Sequence, residues 1–126
     1  MEIISDKKKF SLIKRARSFV HAGRGIKVFI KTTHNSWVHI VFFALAIFLG
    51  FYFKISDVKW MILILTSGFV LVSEAFNTAI EIDMDLTSPE FHPYARDTKD
   101  VAAGAVLISA ITAIVVGALI FIPYLL

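Results

Sequence analysis

Hydrophobic and polar positions fall into four blocks along the chain. Three are apolar runs: "WVHIVFFALAIFLGFYF" at 37–53, "WMILILTSGFVLV" at 60–72, and "VAAGAVLISAITAIVVGALIFIPYLL" at 101–126. An α-helix needs about 20 apolar residues to cross a hydrocarbon layer. The third run clears that length and the first stands at its short limit. The second spans only if its helix continues through Ala75, Phe76, Ala79 and Ile80. The fourth block precedes them. In it Phe10, Ile13, Ala16 and Phe19 or Val20 recur at helical spacing, while Lys14, Arg15 and Arg17 occupy much of the other surface. An apolar stripe opposite Lys and Arg suits a helix lying flat in an anionic interface. Packing of that stripe on the chain's own helices is the other reading. Gly23 and Gly25 are expected to break this helix, with "IKVFIK" starting a second piece.

The predicted fold is an all-α membrane protein of three spans plus an N-terminal amphipathic surface helix. Residues 1–126 form one domain: 6–33 the basic surface region, 36–54 span 1, 58–85 span 2, and 93–122 span 3. "KISDVK" at 54–59 only turns the chain, whereas Pro89 and Pro93 end span 2 and restart span 3.

Composition supports the bilayer as solvent: of 126 residues, 57% are hydrophobic. There is no cysteine, which excludes disulfides and thiolate metal sites. The net charge of +3 matters less than its placement. Residues 1–31 carry nine of the 13 Lys and Arg but only two acids. A basic tail can signal nucleic-acid binding, but the membrane-like remainder argues against it. A cleaved signal peptide is not expected, because the first long apolar run begins only near residue 37. The positive-inside bias puts the N-terminus in the cytoplasm, the 54–59 turn outside and the 85–99 linker inside.

Candidate chemistry sits in "SEAFNTAIEIDMD", 73–85, at the cytoplasmic end of span 2. On one helix Glu74 and Glu81 differ by about 20° in projection and about 10 Å in height. Asp85 shares that face, Asn77 and Thr78 flank it, and Asp83 points elsewhere. Ionisable residues at membrane depth usually face a bundle interior or wet cavity. A deep carboxylate suits proton acceptance from a lipid hydroxyl. A lower one suits Mg²⁺, which takes oxygen ligands and substrate phosphates. His92, Arg96 and Lys99 could offset phosphate charge, although an Arg96–Asp100 pair at i,i+4 is an equal alternative. No Walker-type glycine loop is present, so any nucleotide would be held by helices and side chains.

"EAFNTAIE", Asp85, and "E-x-HP-x-A-x-x-x-KD-x-AAGAVL" across 90–107 together resemble the small prokaryotic diacylglycerol kinase and undecaprenol kinase family. "SFVHAGRGIKV" at 18–28, and Asn35 with His39, extend the resemblance, which covers roughly residues 14–120. The resemblance implies a homotrimer in the bacterial inner membrane, with its active site on the cytoplasmic side. It implies transfer of phosphate from ATP to diacylglycerol or undecaprenol with Mg²⁺. By the same resemblance Glu74 matches the catalytic base and Glu81 a metal ligand. Asn77, Glu90, His92, Lys99 and Asp100 match ATP- and substrate-binding residues, and Lys14 a basic residue of the surface helix. "HPYARDTKDVAAGAVL" resembles the undecaprenol kinase branch more than the Gram-negative diacylglycerol branch. One position departs: Thr33 stands where the family pattern has a second metal-binding glutamate. This departure motivates a second reading, an impaired or silent assembly or regulatory protein of the same fold. A small transporter using Glu74 as a proton site is a third reading, but it gives the Lys99 region no role.

Overall fold

The computed structural model describes residues 11–33 and 36–126. Expectations that fall on residues 1–10, His34 and Asn35 lie outside the described residues. The described chain is all-helical: α1 (Leu12–Thr32), α2 (Ser36–Tyr52), α3 (Asp57–Thr87) and α4 (Pro93–Leu125). It divides into two compact units, Met1–Lys31 and Thr32–Leu126.

In the first unit α1 runs unbroken through Gly23 and Gly25, which corrects the expected break. Neither glycine has a positive φ. Glycine in a helix costs only about 1 kcal/mol relative to alanine, less than the loss of a helical stretch. No residue of α1 is buried within this chain, and Leu12, Ile13, Phe19 and Val20 are strongly exposed.

In the second unit α3 and α4 pack along their lengths, whereas α2 meets α3 at fewer points. At about 1.5 Å per residue, α3 is about 46 Å long and α4 about 50 Å, both longer than a hydrocarbon core of about 30 Å. Both are apolar enough to span it; α2, with 17 residues, is at the short end of the range. The buried positions trace the α3–α4 seam. They are Leu63, Val70 and Thr78 on α3, and Ala102, Ser109, Ile120 and Phe121 on α4. Spacings of seven and eight on α3, and of seven and eleven from Ala102 through Ser109 to Ile120 on α4, keep each set near one stripe. Most other large apolar side chains point outward, as expected for helices that meet lipid or other subunits.

Local chemistry sets the helix ends. α2 closes in a Schellman motif: Ile55 N–H donates to Gly50 C=O at 3.1 Å and Lys54 N–H to Phe51 C=O at 3.3 Å. Lys54 takes the left-handed conformation this requires, φ 50°. Ile55 is thereby buried with Leu63, Ile120 and Phe121, flanked by Trp60 and Phe53. Ser56 caps α3, its hydroxyl accepting from Lys59 N–H at 3.3 Å. Ahead of Pro89, α3 stops at Thr87. Pro93 occupies the first turn of α4, where its missing N–H costs nothing.

Candidate functional site

The long α3 helix carries its polar residues beyond the point where the seam with α4 turns hydrophilic. Ser73 and Ser109 mark that point. Their hydroxyls are hydrogen-bonded at 2.7 Å between the helices, and each lies within 3.0 Å of a backbone carbonyl one turn back, so one hydroxyl donates across the pair while the other donates to its carbonyl. Ser109 is only 1% exposed. A satisfied hydroxyl pair of this kind fixes the register of two apolar helices without leaving a polar group unpaired.

One residue further on, Glu74 enters an open cleft of about 400 Å³. Its walls include Thr33, Glu74, Asn77, Thr78 and Glu81, with Ala103 and Val106 from α4. The helical projection therefore places Glu74, Asn77 and Glu81 together, as the sequence predicts. Asn77 Nδ2 donates to Glu81 Oε1 at 3.3 Å. Thr33 and Thr78 share a hydrogen bond of 3.0 Å between their hydroxyls. Glu74 is held on its other side: Oε1 lies 2.7 Å from Nε2 of His39 on α2. Both side chains are mostly sequestered, at 18% exposure for His39 and 13% for Glu74.

A second cleft of about 250 Å³ lies at the α3–α4 connection, lined by Asp85, Glu90, His92, Arg96, Lys99 and Asp100, among others. Glu90, His92, Lys99 and Asp100 thus gather separately from Glu74, Asn77 and Glu81. Lys99 Nζ donates to Asp85 Oδ1 at 2.5 Å, a partner that periodicity on one helix does not disclose. The i,i+4 pairing considered for Arg96 and Asp100 is replaced by a contact of Arg96 with Asp97 at 3.1 Å. His92 caps α4, Nδ1 accepting from Tyr94 N–H at 3.1 Å. That role commits one of the two ring nitrogens. Lys14 lies in the first turn of α1, exposed, with Ser18 Oγ donating to its carbonyl at 3.0 Å.

The donor set of the first cleft suits a hard cation in kind. Glu81 supplies a carboxylate, Thr33 and Thr78 hydroxyl oxygens, and Asn77 Oδ1 is buried with no hydrogen-bond partner among the described residues. Mg²⁺ accepts such oxygens, commonly using one or two carboxylates together with substrate phosphates and water. Among the described residues, no three His, Asp or Glu side chains converge into a closed cage. Phosphate and water oxygens would complete the coordination.

The fold and the cleft define a helical membrane protein with a carboxylate site at the polar end of a spanning hairpin. Residues 20–121 match the prokaryotic diacylglycerol kinase family. The chain is 41% identical over 109 residues to the undecaprenol kinase of Bacillus subtilis, covering 86% of this chain and 89% of that one. It is 36% identical over 110 residues to a diacylglycerol kinase of Synechocystis, covering 86% and 63% respectively. With the diacylglycerol kinase of Helicobacter pylori it shares 39% identity over 78 residues, 61% of each chain. The chain belongs to the prokaryotic diacylglycerol kinase family.

Proposed function

We propose that this protein is a membrane lipid kinase that transfers the γ-phosphate of ATP to a lipid hydroxyl, with Glu74 as general base. The observation that carries this reading is the position of Glu74: mostly sequestered, fixed through Oε1, yet on the wall of a polar cleft. Oε2 of Glu74 accepts the hydroxyl proton as the lipid oxygen attacks the γ-phosphorus. The bond from that phosphorus to the β,γ-bridging oxygen breaks, and ADP leaves with the electron pair. A carboxylate in this role contributes about 10²–10⁴-fold to the rate. Asn77 orients Glu81, and these two with the Thr33 and Thr78 hydroxyls would hold Mg²⁺. Bound Mg²⁺ supplies neutralisation of phosphate charge. Lys99, held by Asp85, reaches the phosphates with Asp100, Glu90 and His92 at the second cleft. Lys14 contributes a positive charge from the surface helix.

The reading includes three spans, with α2 as the first, a homotrimer, and a bacterial inner-membrane location with both clefts on the cytoplasmic side. A trimer gives the separated clefts a simple relation, since groups apart in one chain can face each other between subunits. The lipid is undecaprenol rather than diacylglycerol. Support comes from the "HPYARDTKDVAAGAVL" segment and from the extent of the match to the Bacillus subtilis undecaprenol kinase.

Thr33 favours one competing reading, a silent protein of the same fold. Its hydroxyl is engaged with Thr78 at a place where the family pattern has a carboxylate. Phosphate transfer from labelled ATP to undecaprenol and to dioleoylglycerol in mixed micelles decides between them. Transfer to undecaprenol that requires Mg²⁺ is the expected result. No transfer to either lipid at any Mg²⁺ concentration would select the silent protein, and a preference for dioleoylglycerol would reverse the substrate assignment.

A further inference from the structure

The contact between His39 and Glu74 differs from the hydroxyl pairs Ser73–Ser109 and Thr33–Thr78. It joins α2 to α3 where the two helices otherwise meet sparingly, and its partners are a ring and a carboxylate rather than small hydroxyls. An ionised carboxylate only accepts hydrogen bonds, so the ring nitrogen facing it must be the one that carries a proton. With Glu74 ionised, as its role as general base requires, Nε2 of the imidazole donates to Oε1 over 2.7 Å. The ring is braced by Phe43 one turn along α2, with centroids 6.3 Å apart and planes 27° from parallel. His39 does not line the cleft, whereas Glu74 does. The imidazole therefore reaches the carboxylate from α2 without itself forming the cleft wall.

From this arrangement we infer that His39 is the positioning residue for Glu74, a role that rests on the lipid kinase reading of the same cleft. The Nε2–H bond engages Oε1, fixes the carboxylate rotamer and leaves Oε2 as the oxygen that meets the lipid hydroxyl. It also supplies a donor to a carboxylate with little access to water, where an unpaired charge would be costly. A long side chain such as glutamate otherwise has several rotamers open to it, and a base displaced by about 1 Å loses much of its effect. His39 itself neither touches substrate nor receives the proton. That proton departs from Glu74 Oε2 to water in the open cleft.

The role is separable from that of a simple clip between α2 and α3. His39→Phe keeps the ring's bulk and its packing on Phe43 but removes the donor. His39→Gln restores an N–H near the position of Nε2. With undecaprenol and MgATP in mixed micelles, kcat of His39→Phe is expected to fall about 10- to 100-fold, the range seen when an orienting outer partner is removed from a metal site. KM for MgATP and the melting temperature in detergent should stay near their parental values, and His39→Gln should regain most of the lost kcat. A kcat for His39→Phe close to the parent overturns the inference. So does an equal loss in both variants, or a loss explained by a lowered melting temperature. A second readout does not depend on turnover. In protein labelled with ¹⁵N at histidine, one slowly exchanging, downfield imidazole N–H signal should disappear in both His39→Phe and Glu74→Ala. Its persistence in Glu74→Ala overturns the inference. A parent enzyme without kinase activity defeats the proposed function instead, and the N–H signal then decides the His39–Glu74 assignment by itself.

Discussion

The two ends of the α3–α4 hairpin are built from the same pair of helices but solve opposite problems. At the α2–α3 turn, Ile55, Leu63, Ile120 and Phe121 are buried together, and Gly50 admits the Trp60 ring so closely that an added Cβ would stand 2.5 Å from it. Lys59 Nζ donates to the Tyr124 hydroxyl at 2.9 Å and closes that end. At the other end two clefts open along the helices: the first pairs carboxylates, an amide and hydroxyls with Ala103 and Val106 of α4, and the second is rich in charged side chains. Close packing confers stability but leaves no space for a substrate; an open polar cleft binds but contributes little cohesion. Separating the two along the length of α3 allows the chain to have both.

Substitutions should therefore divide by location. The largest effect belongs to Glu74→Gln, which should lower kcat by about 10²–10⁴-fold. Its melting temperature in detergent should barely change; a large drop would show that the open end also supports the fold. Next comes Glu81→Ala, expected to reduce activity at low Mg²⁺ by about 10- to 100-fold. Added Mg²⁺ should recover part of that loss in a titration of the labelled-phosphate assay, and an unaltered Mg²⁺ dependence would remove Glu81 from the cation site. Gly50→Ala reverses the pattern. Crowding Trp60 should destabilise the protein by about 1–3 kcal/mol in reversible unfolding from micelles, while folded protein keeps its kcat. Smallest is Lys54→Gly. Relief of a left-handed non-glycine residue is worth about 1–2 kcal/mol, and the greater freedom of unfolded glycine cancels about 0.5–1 of it. A net gain of up to about 1.5 kcal/mol, with kinetics unchanged, is the expected reading.

Features confined to one helix were legible in the sequence. The continuation of α3 through Ala75, Phe76, Ala79 and Ile80 follows from apolar periodicity, and its end before Pro89 from proline chemistry. The common face of Glu74, Asn77 and Glu81 needs only 3.6 residues per turn. Contacts between helices were not legible, because periodicity tells which residues share a face but not what lies opposite. His39 was visible as a polar residue two places into an apolar run, and as part of a family pattern, yet nothing in either fact aims it at Glu74. The same holds for Asp85 with Lys99 and for Ser73 with Ser109. The expected break at Gly23 and Gly25 failed for another reason. Glycine lowers helix propensity, but two isolated glycines in a 21-residue helix do not abolish it.

The unbroken course of α3 also makes it a depth gauge. Glu74 and Glu81 are two graduations about 10 Å apart on a rigid rod, and the Ser73–Ser109 tie sets where the zero of the scale lies against α4. On the proposed lipid kinase reading, a lipid would be selected by the height at which its hydroxyl rides above its chains, before any contact with the chains themselves. One added helical turn between Ser73 and Glu74 would shift the scale by about 5.4 Å and should retune the enzyme toward hydroxyls at a different height.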